Sequence, residues 1–291
     1  MSIERFSQEL ERIVSLEEGV EELGRGYLVA EGPVWWKEGG YLLFSDIRNN
    51  RRMKWSPEEG VSLFHQPTNN ANGLTRDRQG RLIACEQITH GVTRLEPDGS
   101  ITVMANSYQG RWLNRPNDVV VKSDGSIYFS DPGAPDPELD LDFAGVYRIS
   151  PDRGTVTLLV RDLVTPNGLA FSPDESILYI DDSRRRHIRA FDVLPNGMLA
   201  LATDRVFREL KGERPGVPDG MKVDVEGNVY CTGPGGVWII DPKGRHLGTI
   251  LTGANQTTNC AWGGEDWKTL FITTIDSLAR VSLKIPGIPV P

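Results

Sequence analysis

The chain has 291 residues, 38% hydrophobic and 25% charged, with a mean hydropathy of −0.33; this is an ordinary globular balance with ample apolar material for a core, and it excludes a disordered chain. No apolar run approaches the roughly 18 residues of a membrane-spanning helix, and Met1-Ser2-Ile3-Glu4-Arg5-Phe6 lacks the basic-then-apolar pattern of a signal peptide, so no membrane association is expected. A net charge of −8 removes the basic field that binds phosphate backbones, which excludes nucleic acid as an expected partner, and three scattered cysteines (Cys85, Cys231, Cys260) fit a reducing cytoplasm better than a disulfide framework.

In chain order, residues 4–13 read as a short amphipathic helix, followed by two apolar stretches, Ile13-Val14-Ser15-Leu16 and Val20-Glu21-Glu22-Leu23, either of which could form a strand. A repeat then begins. Ala30-Glu31-Gly32-Pro33-Val34-Trp35 is echoed by Ala71-Asn72-Gly73-Leu74, Pro116-Asn117-Asp118-Val119, Pro166-Asn167-Gly168-Leu169, Pro218-Asp219-Gly220-Met221 and Thr258-Asn259-Cys260-Ala261. One short acid or amide recurs every 40 to 52 residues, usually before glycine and then apolar residues. After most of these come a turn (Arg78-Gln79-Gly80, Ser123-Asp124-Gly125, Pro173-Asp174-Glu175, Val225-Glu226-Gly227) and a short apolar strand, the signature of a hairpin. A second hairpin follows in most units, as in Gly91 to Ile101 and Gly236 to Gly244. Four strands per unit of this length is the blade of a β-propeller, so the expected fold is all-β: a six-bladed β-propeller with four antiparallel strands per blade, in one domain over residues 1–291. The last unit has three strands and ends in Ile285-Pro286-Gly287-Ile288-Pro289, which cannot continue a ladder. Its fourth strand must come from the N-terminal segment 1–24, closing the ring.

The first strand of a propeller blade lines the central channel. A polar residue recurring at its start therefore forms a ring around one end of the axis: Glu31, Asn72, Asn117, Asn167, Asp219 and Asn259. Asn-Gly and Asp-Gly are also common turn dipeptides. Glu31 is not a turn-forming residue yet occupies the same repeat position, and Asp219 adds a second carboxylate. Carboxylates and amide carbonyls converging in a narrow channel make a hard-oxygen site that suits a divalent cation, calcium first by ligand type, with magnesium, manganese or zinc also compatible. Asn72 and Asn259 have no further support and read as structural.

The segments Ala30 to Trp35, Asn114-Arg115-Pro116-Asn117-Asp118, Pro166 to Leu169, Pro218 to Met221 and Asn259-Cys260-Ala261-Trp262-Gly263-Gly264 resemble, in order and spacing, the SMP-30/gluconolactonase family of regucalcin-like lactonases, over residues from about 25 to 285. The resemblance implies a metal-dependent hydrolase acting on small-molecule sugar lactones. It implies that Glu31, Asn167 and Asp219 are metal ligands and that Arg115 and Asn117 face the substrate, with Asn117 also a candidate ligand and Asp118 beside them on the substrate side. Ser130-Asp131-Pro132 departs from the loop of animal members, which leaves the substrate's identity open.

The chemistry can be argued independently. A cation in such a channel polarises a carbonyl and lowers the pKa of bound water, the two requirements of lactone hydrolysis. Asp219 is placed to act as the general base and Arg115 to steady the developing oxyanion. No G-x-S-x-G occurs, and none of His65, His90, His187 and His246 holds a ring position, so a serine triad is a poor competitor. Specificity residues are expected on the loops facing the same end: Glu86 to His90, residues 132–144, Asp182 to His187, and Tyr108 to Arg115 with Trp112. The run from Pro135 to Asp142 reads as an acidic lid, and Arg184-Arg185-Arg186 as a solvated loop. The alternatives are an organophosphate or ester hydrolase of the diisopropyl-fluorophosphatase or paraoxonase type and a non-catalytic ligand-binding propeller. A monomer or small homo-oligomer is expected.

Overall fold

The computed structural model describes residues 2–133, 136 and 138–290. Its strands assemble into six antiparallel sheets around a channel, the propeller expected from the repeat. Blade 1 is Ala30–Trp36, Tyr41–Asp46, Arg51–Ser56 and Gly60–His65; blade 2 is Ala71–Arg76, Leu82–Glu86, Gly91–Leu95 and Ile101–Ala105. Blade 3 is Val119–Val121, Ile127–Asp131, Gly145–Ile149 and Val156–Val160; blade 4 is Pro166–Phe171, Ile177–Asp182, His187–Val193 and Leu199–Glu209. Blade 5 starts with Met221–Val223, Val229–Gly233, Gly236–Ile240 and His246–Leu251, and blade 6 with Thr257–Gly263, Thr269–Thr274 and Ser277–Ser282.

The second strand of every blade is buried almost throughout, because neighbouring blades cover both of its faces. That is why these segments read as continuous apolar runs rather than as alternation. Aspartates set the turns behind the inner strands. Asp77 Oδ1 accepts from the backbone N–H of Gln79 and Arg81, and Asp224 Oδ1 from those of Glu226 and Asn228, each a side chain standing in for a turn of main chain.

The inner strands explain the repeated polar-glycine pair. In blades 1, 2, 4 and 6 the register of the first strand slips at this point, between Glu31 and Val34, Ala71 and Leu74, Pro166 and Leu169, and Thr257 and Asn259. A bulge of this kind re-aims a side chain, here toward the channel. Glycine follows because neighbouring blades touch there. Gly73 N–H donates to Asn117 O at 2.8 Å, Gly168 N–H to Asp219 O at 2.9 Å, and Gly220 N–H to Thr258 O at 2.7 Å. A Cβ on Gly32, Gly168 or Gly220 would collide with the facing chain. The pairs are thus inter-blade contacts, within the first strand in blades 1, 2 and 4 and just before it in blade 5, and not turns.

Closure uses both N-terminal strands. Glu21–Arg25 pairs with Ser277–Ser282 as the fourth strand of blade 6, so the second of the two candidate stretches supplies it. Ile13 and Val14 instead pack in the core. The helix expected over residues 4–13 is shorter, a 3₁₀ turn at Gln8–Arg12 that buries Leu10, because Ile3–Arg5 is drawn into a fifth strand on the outer edge of blade 5. This arm also covers His246: Phe6 lies 4.7 Å from its ring, which stacks on Trp238 at 3.7 Å. The C-terminal stretch makes no ladder. Gly287 bridges Asp224, and Ile288 N–H donates to Val223 O, so the tail crosses the far end of the channel.

Two outcomes are expected. Deleting residues 1–24 strips an edge from two blades and should lower the thermal midpoint or solubility; a truncated chain melting like the full one would show that closure contributes nothing. Burial pushes His246 down to about 4, so the folded protein keeps it neutral while the unfolded chain takes up a proton below about 6.5. Stability should therefore fall as pH drops from about 6.5 to 4, and His246→Phe, which preserves the stack on Trp238, should flatten that part of a denaturation-versus-pH curve.

Candidate functional site

Glu31 leaves its bulge to enter the channel and is 4% exposed. Its Oε2 accepts from Gly32 N–H at 2.6 Å and from Asn259 Nδ2 at 2.9 Å. Asn259 Nδ2 also reaches Asp118 Oδ2 at 3.4 Å, so this amide separates two carboxylates. Asp219 sits half-buried across the channel, its Oδ2 accepting from Gln256 Nε2 at 3.2 Å. Gln256 is itself anchored by Val217 N–H on its Oε1 at 3.0 Å. Asn167 donates from Nδ2 to Ser183 Oγ at 3.2 Å, which fixes the orientation of its amide.

These groups form a nest of acids. Burial and then the charge of Asp118 push the Glu31 carboxyl up to about 7. Burial, followed by Glu31, Asp181 and Asp118, holds Asp219 well above the usual carboxylate range. Asp181 is fully buried behind Gly168, its Oδ1 without a hydrogen-bond partner among the described residues, and is likewise raised, first by burial. Lys222 is the cation acting on Glu31 from below. Taking charge off such a cluster requires protons or a bound cation.

Arg115 approaches from the rim on a clamped arm. Asn114 N–H donates to Asp131 Oδ2 at 2.9 Å, and Asn114 Nδ2 to Phe143 O at 2.9 Å. His90 Nδ1 contacts the carbonyls of Leu113 and Asn114 at 3.1 and 2.6 Å; both partners only accept, so this nitrogen carries the proton. Burial pushes the Asp131 carboxyl up to about 7. The Arg115 side chain itself is open to solvent and lies 3.4 Å from Asp136. Beside it, Ser107–Tyr108 and Arg111–Trp112 form a small hairpin that leaves Trp112 exposed, with Trp112 N–H on Asp140. Of the stretch read as an acidic lid, residues 135 and 137 lie outside the described residues.

Glu31, Asn167 and Asp219 are thus gathered in one channel mouth, with Asn117 half-exposed and Arg115 at the rim. Asp118, expected beside the substrate, is 2% exposed, with Oδ1 on Val119 N–H. It occupies the repeat column held by glycine in four other blades, so its side chain drops one layer below the ring. Asn72 is buried, with Oδ1 unpartnered. Ser183 lies in the Asp182 to His187 loop expected to face this end, whereas Gln256, Asp181 and Lys222 were not legible as site residues, since none falls in the repeated column. Among the described residues no three His, Cys, Asp or Glu side chains gather as a metal site by themselves. The candidate ligand set has only two carboxylates, completed by amide oxygens. Its chemistry fits a hard divalent cation, since acids this close and this desolvated lack a matching positive charge.

Comparison with known proteins agrees with this architecture. The SMP-30/gluconolactonase/LRE-like region matches residues 29–276. The chain is 34% identical to a gluconolactonase of Zymomonas mobilis over 98% of its own length and 87% of that protein's. It is 29% identical to the regucalcin of Oryctolagus cuniculus, covering 86% of each. The solved structure of a gluconolactonase from Xanthomonas campestris superposes with a TM-score of 0.87 at 31% identity, covering 97% of this chain and 95% of that one. With its propeller, its motifs and these relatives in agreement, the chain belongs to the SMP-30/gluconolactonase/LRE-like family.

Proposed function

We propose that this protein is a metal-dependent hydrolase that opens sugar lactones, converting an aldonolactone to the aldonic acid. The observation that carries the reading is the convergence of Glu31, Asn167 and Asp219 in one channel mouth beneath an arginine held on a clamped arm. Sequence identity to gluconolactonases supports the substrate class.

Glu31, Asn167 and Asp219, with Asn117 as a fourth donor, would hold the divalent cation, calcium first. When bound, the cation polarises the lactone carbonyl and acidifies water. The rest falls to the chain. Asp219 accepts a proton on its carboxylate as a water oxygen attacks the carbonyl carbon, and Gln256 holds that carboxylate in place. The ring C–O bond then breaks, and the departing ring oxygen takes that proton from Asp219 to become a hydroxyl, which returns the carboxylate to its starting state. Arg115 steadies the negative charge that builds on the carbonyl oxygen, and Asn117 contacts the substrate's hydroxyls. Asp118, buried under the ring, keeps Asn259 turned toward Glu31 and so acts on the ligand, not on the sugar.

Chelator-stripped protein should be nearly inactive on aldonolactones, with activity restored by one of calcium, magnesium, manganese or zinc. Full turnover with verified absence of metal, or turnover of phosphotriesters in preference to lactones, would overturn the reading. Asp219→Asn keeps the shape and an oxygen donor but removes charge and base; it should weaken metal affinity and cut turnover by about 10²–10⁴. Arg115→Ala leaves the ring intact, so metal titration should be unchanged while kcat/KM falls. Equal metal affinity in wild type and Asp219→Asn would place the cation elsewhere.

A further inference from the structure

The channel has a second mouth, at the end away from the acid–amide ring. There the inner strands of blades 2 to 6 and the C-terminal tail enclose a cavity of about 430 Å³, within the range of small-molecule sites. Apolar side chains, Val120, Leu169, Phe171, Val223 and Trp262, make most of its wall, with the hydroxyl residues Thr75, Ser123 and Ser172 among them, and the tail at Ile288 to Val290 closes one side. The tail is held there by main-chain bonds from Gly287 to Trp267 and from Ile288 to Val223, so the wall is part of the fold. One cation lies among these residues. Lys222 Nζ donates to Met221 O at 2.9 Å and to Asn259 Oδ1 at 3.4 Å, the second a weak bond. An ammonium carries three donors, so among the described residues one is unspent and another poorly used.

The rim has the opposite sign. Asp174 and Glu175 stand on the turn at the cavity's edge. Glu175 is paired with Lys122 at 2.9 Å, but Asp174 is held only by the hydroxyls and main chain of Ser172 and Ser176, so its charge is uncompensated among the described residues. A ligand entering this mouth therefore meets a negative edge, an apolar wall and, at the inner end, the Lys222 ammonium, which on its ring side also faces Glu31 through the Asn259 amide.

We propose that this second mouth binds a small monocarboxylate with an apolar body, its carboxylate on Lys222 and its chain along the valine, leucine and tryptophan wall. A carboxylate supplies the acceptors that Lys222 lacks and forms charge-assisted bonds to it. The apolar body displaces water from a surface with little else to bond it. A second anionic group at the far end of the ligand would lie against the acidic rim, which selects monoacids over diacids.

Octanoate, and octanedioate as the matched diacid, titrated calorimetrically into the full chain, test the assignment without metal or lactone, so their outcome is separate from that of the lactonase assays. Octanoate should bind at one site per chain, at least tenfold more tightly than octanedioate. Lys222→Met, which preserves length and apolar bulk, should weaken octanoate at least tenfold. Val120→Phe, which fills the cavity and leaves the lysine, should do the same. Thermal melts identify a variant that fails to fold; the other variant and the diacid comparison then decide. No saturable octanoate binding in the millimolar range, equal binding of the diacid, or unchanged affinity in a folded Lys222→Met or Val120→Phe protein would overturn the proposal.

Discussion

The rest of the molecule depends on how closely the inner strands approach one another. Where Gly73, Gly168 and Gly220 donate main-chain bonds to the next blade, two backbones meet with no side chain between them. This contact pins the height of each blade relative to its neighbour, and with it the height of the polar residue just before the glycine. The bulges at Glu31, Asn72, Asn167 and Asn259 then turn those side chains inward at one common level. A ring of donors is the geometric by-product of a packing requirement, which is why one dipeptide serves both stability and site.

Packing charges at that level has a cost that the fold meets in layers. Asn259 separates Glu31 from Asp118, Gln256 supports Asp219, and Lys222 faces the cluster from below. The two amides each spend a polar group to keep a carboxylate in place without neutralising it, and Lys222 adds one positive charge that acts on Glu31. The result is a mouth predisposed toward a positive partner, with Glu31 and Asp219 already held by hydrogen bonds before anything binds.

Much of this was legible because the repeat interval maps directly onto blades. Glu31, Asn167 and Asp219 share a column, and a column in a propeller is a circle. Asp118 was legible only by shifting that column one position: where blades 1, 2, 4 and 5 carry glycine, blade 3 carries an acid, and the side chain must go downward. Gln256, Ser183 and Lys222 reach the channel from a loop before a strand, a loop after one and the middle of one; no periodicity joins them. The N-terminal arm was ambiguous for a different reason. Ile13 to Leu16 and Val20 to Leu23 are comparably apolar, and only the partner edge of Ser277–Ser282 decides which stretch becomes strand. Ile3–Arg5 is short, and its pairing depends on an edge more than 240 residues away.

That pairing also orders events in time. The residues synthesised first are the ones whose partners are synthesised last: Glu21–Arg25 has no edge to join until Ser277–Ser282 exists, and Ile3–Arg5 must wait for His246–Leu251. Contacts of such sequence separation carry a large loop-closure cost and slow the final step of folding. Until then the nascent ring is an open arc with bare strand edges at both ends, the state in which two chains could complete each other instead of themselves. The short 3₁₀ turn with its buried Leu10 lies between the two N-terminal strands, so one continuous arm supplies the missing edges of both blade 5 and blade 6.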